Sequence, residues 1–207
     1  MYLTVRQGLD FPLDDDFVIP HPNYRPWVEA REVEVEPADS KVDPTALVFG
    51  IVKPYKGIES AIAAVGRTGG LHLKVIGQAP NAQYAEEIRT LIKNSPGSVF
   101  NEGRVADSVL IAEISKATVV LLPYKSLYNS GALLLALSLE TPVVVQKSAV
   151  AETLVSEFGS DWVRVIDFDK DEIPLSAPHA SPEWGPSRDW GEAASAHNRV
   201  YRRLTSE

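Results

Sequence analysis

Between Thr45 and Ile166 the chain alternates short, unbroken apolar runs with stretches of helical spacing. The runs are ALVFG (46–50), LHLKVIG (71–77), SVFNEG (98–103), TVVLLPY (118–124), PVVVQ (142–146) and WVRVI (162–166). Between them lie 58–65, 83–93 with Ile88, Leu91 and Ile92 on one face, 108–116 with Asp107 or Ser108 as its cap, 130–139 and 150–158. A strand that is apolar on both faces needs cover on both sides, and alternation with helices supplies it through βαβ units. The pattern predicts an α/β fold, a Rossmann-like parallel sheet of about six strands with helices on both faces.

The flanks read differently. Residues 1–44 carry Pro12, Pro20, Pro22, Pro26, Pro37 and Pro44, and only 16–19 resembles a strand. Each proline removes a backbone donor and disfavours helix in the residue before it, so an irregular linker is expected. A second proline-rich loop over 170–188 precedes a last helix, 189–204, with basic residues near its end. The net charge of −8 gives no basic footprint for nonspecific nucleic-acid binding. Without cysteine, disulfides, thiolate catalysis and cysteine-ligated metals are excluded, and a reducing cytoplasm is the default location. No apolar run reaches membrane-spanning length, and the N-terminus has no signal-peptide pattern.

In open α/β sheets ligands bind beyond the carboxyl ends of the strands. After the first strand comes Gly50-Ile51-Val52-Lys53-Pro54-Tyr55-Lys56-Gly57, two lysines framed by glycine and proline. A lysine ammonium suits a phosphate oxygen as a point charge, although a solvated loop explains the same residues equally well. After the fourth strand, Tyr124 to Gly131 leads into an apolar helix. The free amides and dipole of a helix start attract anions, and Gly131 admits close approach to the backbone; plain capping by Asn129 or Ser130 accounts for those two residues on its own. No GxxxxGK[ST] or strand-following GxGxxG pattern occurs. The four histidines lack metal-ligand spacing, the only acidic run is Asp14-Asp15-Asp16 in the N-terminal segment, and no metal site is expected. His72 reads as structural, His21 as a loop residue open to function, and Trp162, Trp184 and Trp190 as packing anchors.

Taken together, FG-IVKPYKG-IESAIAAV, LKVIG, GRVADSVLIAEISKATVVLLPY and NSGALLLALSLETPVVV resemble, over about residues 45–167, the donor half of the family-4 retaining glycosyltransferases. IPHPNYR resembles that family's passage from the acceptor domain, and DWGEAASAHNRVYRRL its final crossing helix. The resemblance implies one half of a two-domain B-type fold. Residues 1–44 would be the linker or tail of a missing N-terminal acceptor domain, 45–170 the donor domain, and 171–207 the loop and crossing helix. It implies transfer from a UDP- or GDP-linked sugar with retention, without cofactor or metal, to a glycan or lipid-linked acceptor bound by the missing half. The full-length protein would be cytoplasmic, with peripheral association at the inner face of the membrane. Lys56 matches the family's diphosphate lysine and Lys53 a second basic position; these are the catalytic candidates. Tyr124, Tyr128, Asn129, Ser130 and Gly131 match the diphosphate loop, Gly103, Arg104 and Val105 the base-facing loop, and Gly50 and Gly77 the strand ends.

Two positions depart from the family. Leu127 and Leu135 stand where many members carry a pair of glutamates, some members having a serine-glycine loop instead, and Glu140 replaces a usual glycine. The missing glutamates keep open a nucleotide-sugar-binding or scaffold protein without activity. A nucleotide-sugar epimerase on the same fold is the other alternative.

Overall fold

A computed structural model describes residues 19–31, 44–124 and 131–205. Tyr128, Asn129 and Ser130, with most of the strand expected at 16–19, lie outside the described residues. The strands are β1 (Thr45–Phe49), β2 (His72–Gly77), β3 (Val99–Glu102), β4 (Val119–Leu122), β5 (Val143–Gln146) and β6 (Val163–Ile166). They form one parallel sheet in the order β3-β2-β1-β4-β5-β6. The direction of winding reverses between β1 and β4, which creates the crevice typical of doubly wound sheets at their carboxyl edge.

Strand pleating sorts the core into two layers. Ala46, Val48, Leu73, Val75, Val119 and Leu121 face α2 (Ile58–Arg67) and α3 (Ala82–Lys93). Leu47, Phe49, Ile76, Val120, Leu122 and Val143 face α4 (Asp107–Lys116), α5 (Gly131–Ser138) and α6 (Ala149–Phe158). Alternate residues of each strand thus enter opposite layers, which is why the strands read as continuously apolar. Helix α5, GALLLALS, is apolar nearly all round, so it needs cover on its outer side as well. Tyr24, Trp27 and Val28 supply that cover from the N-terminal segment.

Three local expectations are corrected. Residues 25–29 are not irregular but form a short helix, α1 (Arg25–Glu29), with a proline in its first turn where the missing N–H costs nothing. Helix α4 is capped by Ala106 without a side-chain bond, not by Asp107 or Ser108. Asp107 instead lies inside the helix and accepts from the Arg31 guanidinium at 2.8 Å, an ion pair that rewards the acid at the positive helix end. Asn81 and Ser148 do cap α3 and α6 through their side chains. The last helix, α7 (Trp190–Thr205), starts beside Asp189, whose carboxylate accepts from the amides of Gly191 and Glu192.

Candidate functional site

The first three strands end together, each at a glycine. Gly50 N–H donates to the Ile76 carbonyl at 2.9 Å and Gly103 N–H to the Gly77 carbonyl at 3.0 Å. Gly50, Gly77 and Gly103, all singled out in the sequence, therefore lie side by side on the carboxyl edge. A Cβ on Gly77 would sit 1.8 Å from the Gly50 carbonyl oxygen, so only bare backbone lets β1 and β2 close up there. Gly50 itself has φ +93°, a turn that other residues rarely adopt.

That turn sends the chain back across the end of β1 as a single 3-10 turn over 54–56. Gly57 closes it at φ +63°, and a Cβ there would lie 2.3 Å from the Pro123 carbonyl oxygen, so the turn is packed on the end of β4. The Lys56 side chain is folded inward as a result. Sequence alone allowed a solvated turn residue; the side chain is instead only 7% exposed. Its Nζ donates to the Phe49 carbonyl at 2.9 Å and lies 5.3 Å from the centre of the Tyr124 ring. Burial lowers its pKa from 10.5 to about 8. Tyr124 is buried beneath it, with Tyr55 edge-on at 6.1 Å, and burial first, then Tyr55, raises the Tyr124 pKa.

The other sequence-predicted residues divide. Lys53 is exposed at the mouth of the turn and does not join Lys56 in the interior. Arg104 is exposed beyond Gly103, while Val105 is half-buried against the core. Gly131 opens α5, and a Cβ on it would lie 3.0 Å from the Tyr24 hydroxyl. Leu135, at the position of a family glutamate, is buried within the α5 layer. Tyr24 and Tyr55 were missed: both are ordinary aromatics in sequence and acquire a place only when the turn and α5 fold. Trp162 donates to the Ala180 carbonyl, Trp190 to the Asn23 carbonyl, and Trp184 packs edge-on against Phe158, as packing anchors should. His72 is structural, 3.2 Å from the Pro96 carbonyl.

A groove of about 540 Å³ lies elsewhere, between α2 and α3, lined by Glu59, Gln83, Glu86, Glu87, Thr90 and Leu91. Its carboxylates repel phosphate, whereas the β1–β4 crevice offers amides and an ammonium. Among the described residues no cluster of three or more His, Cys, Asp or Glu side chains could hold a metal ion. Among them, too, no helix is long and apolar enough to cross a membrane.

A Rossmann-like sheet of this order, with bare backbone and a buried ammonium at its carboxyl edge, defines a nucleotide-binding domain of B-type glycosyltransferase architecture. The family model "Glycosyl transferases group 1" matches residues 43–168, and the chain belongs to that family. It is 31% identical over 192 residues to a protein of Xanthomonas campestris pv. campestris named GDP-mannose:glycolipid 4-beta-D-mannosyltransferase, covering 87% of this chain and 53% of the relative. A second protein of that name from the same species is 30% identical over the same coverage. The chain thus spans about half the length of these curated relatives. Among solved structures it resembles AviGT4, a glycosyltransferase involved in avilamycin A biosynthesis, with TM-score 0.58 and 22% identity over 96% of this chain and 60% of that one. Anabaena HepE, solved in complex with UDP and glucose, gives TM-score 0.54 and 16% identity over 80% of this chain and 49% of that one. Likeness at these identities speaks for the fold.

Proposed function

We propose that this chain binds the sugar donor of a mannosyltransferase, holding GDP-mannose by its diphosphate at the β1–β4 edge for transfer to a glycolipid. The observation that carries the reading is Lys56. An ammonium withdrawn from water against a carbonyl, without a carboxylate partner, is costly in the empty site. A diphosphate arriving beside it supplies the missing countercharge in a place of low dielectric, where preorganised charge has its largest effect on a departing anion. Lys56 would hold the donor and stabilise the leaving diphosphate. Lys53 and Arg104, exposed nearby, would add field, and the amides of the loop entering α5 would complete the cradle. No metal is needed in this scheme, because lysines and amides do the neutralising.

The glycolipid acceptor and the mannosyl donor are taken from the names of the Xanthomonas relatives. So is the stereochemistry. When mannose is α-linked to the nucleotide, a β product means inversion, and the absence of a carboxylate at Leu135 agrees with an enzyme unlike the glutamate-bearing retaining members. Retention, implied by the family resemblance, is the competing outcome. Because the chain matches about half of its relatives, the acceptor is expected to bind residues beyond those of this domain, and the full-length protein to work at a membrane face.

The test has two steps. Titration of the chain with GDP, UDP and their mannose and glucose conjugates, with EDTA present, should give tightest binding for the GDP forms and no loss on chelation. No binding of any nucleoside diphosphate at millimolar concentration, or a strict need for divalent metal, would sink the donor reading. A native-length protein carrying this domain, given GDP-mannose and a lipid-linked saccharide, should then yield a β-linked product by NMR. An α-linked product would restore retention, and a new nucleotide sugar formed without acceptor would favour the epimerase.

A further inference from the structure

The segment before the domain brings a tyrosine and a histidine to the start of α5. Tyr24 is anchored at the far end of that helix, where its backbone N–H donates to Ser138 Oγ at 2.9 Å. Its ring then runs alongside α5, and the hydroxyl arrives at the first residue: a Cβ on Gly131 would lie 3.0 Å from the Tyr24 oxygen. Glycine at 131 is thus what admits the phenol to the helix start.

His21 fixes where that hydroxyl points. The two rings stack with centroids 5.2 Å apart, and His21 Nε2 lies 3.3 Å from the Tyr24 hydroxyl. His21 Nδ1 is 2.7 Å from the Pro22 carbonyl oxygen, and a carbonyl only accepts, so Nδ1 carries the proton. In the neutral ring Nε2 therefore presents a lone pair, and the Tyr24 hydroxyl donates to it. The His21 backbone is held in turn: its carbonyl accepts from Arg188 Nη1 at 3.0 Å, and Arg188 is paired through two nitrogens with Glu157. Packing and outer hydrogen bonds of this kind preorganise a group for a ligand.

We propose that the Tyr24 hydroxyl, oriented by His21, is a donor-binding group that hydrogen-bonds an anionic oxygen of the nucleotide sugar's diphosphate at the start of α5. The inference rests on the donor-binding reading above. Only the hydroxyl torsion has to change: its hydrogen turns from His21 Nε2 to the phosphate oxygen, with no proton gained or lost. An anionic oxygen is the stronger acceptor, and the positive end of α5 attracts it to the same place. Lys56 reaches the diphosphate from the β1 side, and Tyr24 reaches it from the α5 side.

The test uses the 207-residue chain and its Tyr24→Phe variant, which removes one oxygen and keeps the ring that covers α5. GDP and guanosine are titrated into each, and melting is recorded. GDP should bind the variant about tenfold more weakly, the low end for a charge-assisted hydrogen bond. Guanosine affinity and melting temperature should be unchanged, since the lost contact is to phosphate. Equal GDP affinity in both proteins overturns the Tyr24 contact while leaving the donor site standing. Parallel losses for GDP and guanosine, or a lowered melting temperature, mean that the hydroxyl is merely structural and overturn it as well. If wild type binds no GDP at all, the donor reading itself fails and this contact goes with it.

Discussion

Lys56 shows how much a single residue's role depends on its neighbours' backbone. Glycine at 50 and 57 and proline at 54 turn an ordinary lysine into a buried cation. Its pKa near 8 in the folded chain lies below the unfolded value of 10.5. Between those values the unfolded chain holds a proton that the folded chain has released, so stability rises with pH across this window. Below it the cost of burying the charge is fully present, roughly 3 kcal/mol at about 1.4 kcal/mol per pH unit. Urea denaturation of wild type should therefore show stability gaining about 2 kcal/mol from about pH 7.5 to about 9.5. Lys56→Met should lose this gain. At neutral pH it should be more stable than wild type by about 1–2 kcal/mol, because relief of the buried charge exceeds the cost of leaving the Phe49 carbonyl unpaired. The same substitution should weaken GDP binding by about tenfold or more, whereas Lys53→Ala, at an exposed position, should have the smaller effect. A Lys56→Met protein that is less stable and retains GDP affinity would make the lysine a structural plug. Sequence placed this lysine at the correct strand end but left open whether it was solvated. Burial is decided by Gly57, whose left-handed turn is pinned against Pro123, a contact with no counterpart in local sequence.

At the scale of elements, the strands and helices between Thr45 and Ile166 were legible because each run carries its own periodicity, and the observed ends differ by a residue or two. What was hidden are the joints. The α5–β5 connection turns at Glu140, the residue in place of the family's usual glycine, and its φ of +55° shows why glycine is usual there. A side chain in the left-handed region costs about 1–2 kcal/mol, which Glu140 offsets little: its carboxylate is 3.7 Å from Arg25 and both side chains are largely exposed. Glu140→Gly should stabilise the protein by about 0.5–1 kcal/mol by removing that strain, net of the extra freedom of glycine in the unfolded chain. A thermal midpoint that falls instead would mean that the Arg25 contact outweighs the strain and holds α1 on α5. The α4 cap was misread for a related reason. Ser, Thr, Asp and Asn are the expected caps, yet Asp107 is drawn one position into the helix by Arg31, a residue 76 positions away in sequence.

The molecule as a whole is closed by its two flanks, the parts that sequence described least well. Proline-rich and without periodicity, 19–31 and 185–190 offer no local signal, and their order comes from each other. Asn23 N–H and Nδ2 both donate to the Arg188 carbonyl, and Trp190 Nε1 donates to the Asn23 carbonyl. At the centre is Arg188, 2% exposed, forked onto Glu157 of α6 at 2.6 and 2.7 Å and reaching the His21 carbonyl. This one guanidinium ties the leading segment, the last helix and α6 together over the outer side of the α5 layer. Replacing it with an apolar side chain of similar length leaves Glu157 and two carbonyls short of donors in a site with little water. Breaking one side of such a pair typically costs about 3–5 kcal/mol, and the partial exposure of Glu157 puts the expectation for Arg188→Met near 3 kcal/mol. The loss should be regional as well as global. Hydrogen exchange should quicken at the Asn23 amide, which donates to Arg188, before it quickens at the amides of β1, β4 and β5 in the sheet centre. Because Tyr24 is held by the same clasp, GDP binding should weaken in Arg188→Met even at temperatures where the sheet remains folded. Uniform acceleration of exchange, with GDP affinity intact in the folded fraction, would show that the clasp only adds stability and does not present the leading segment to the donor site.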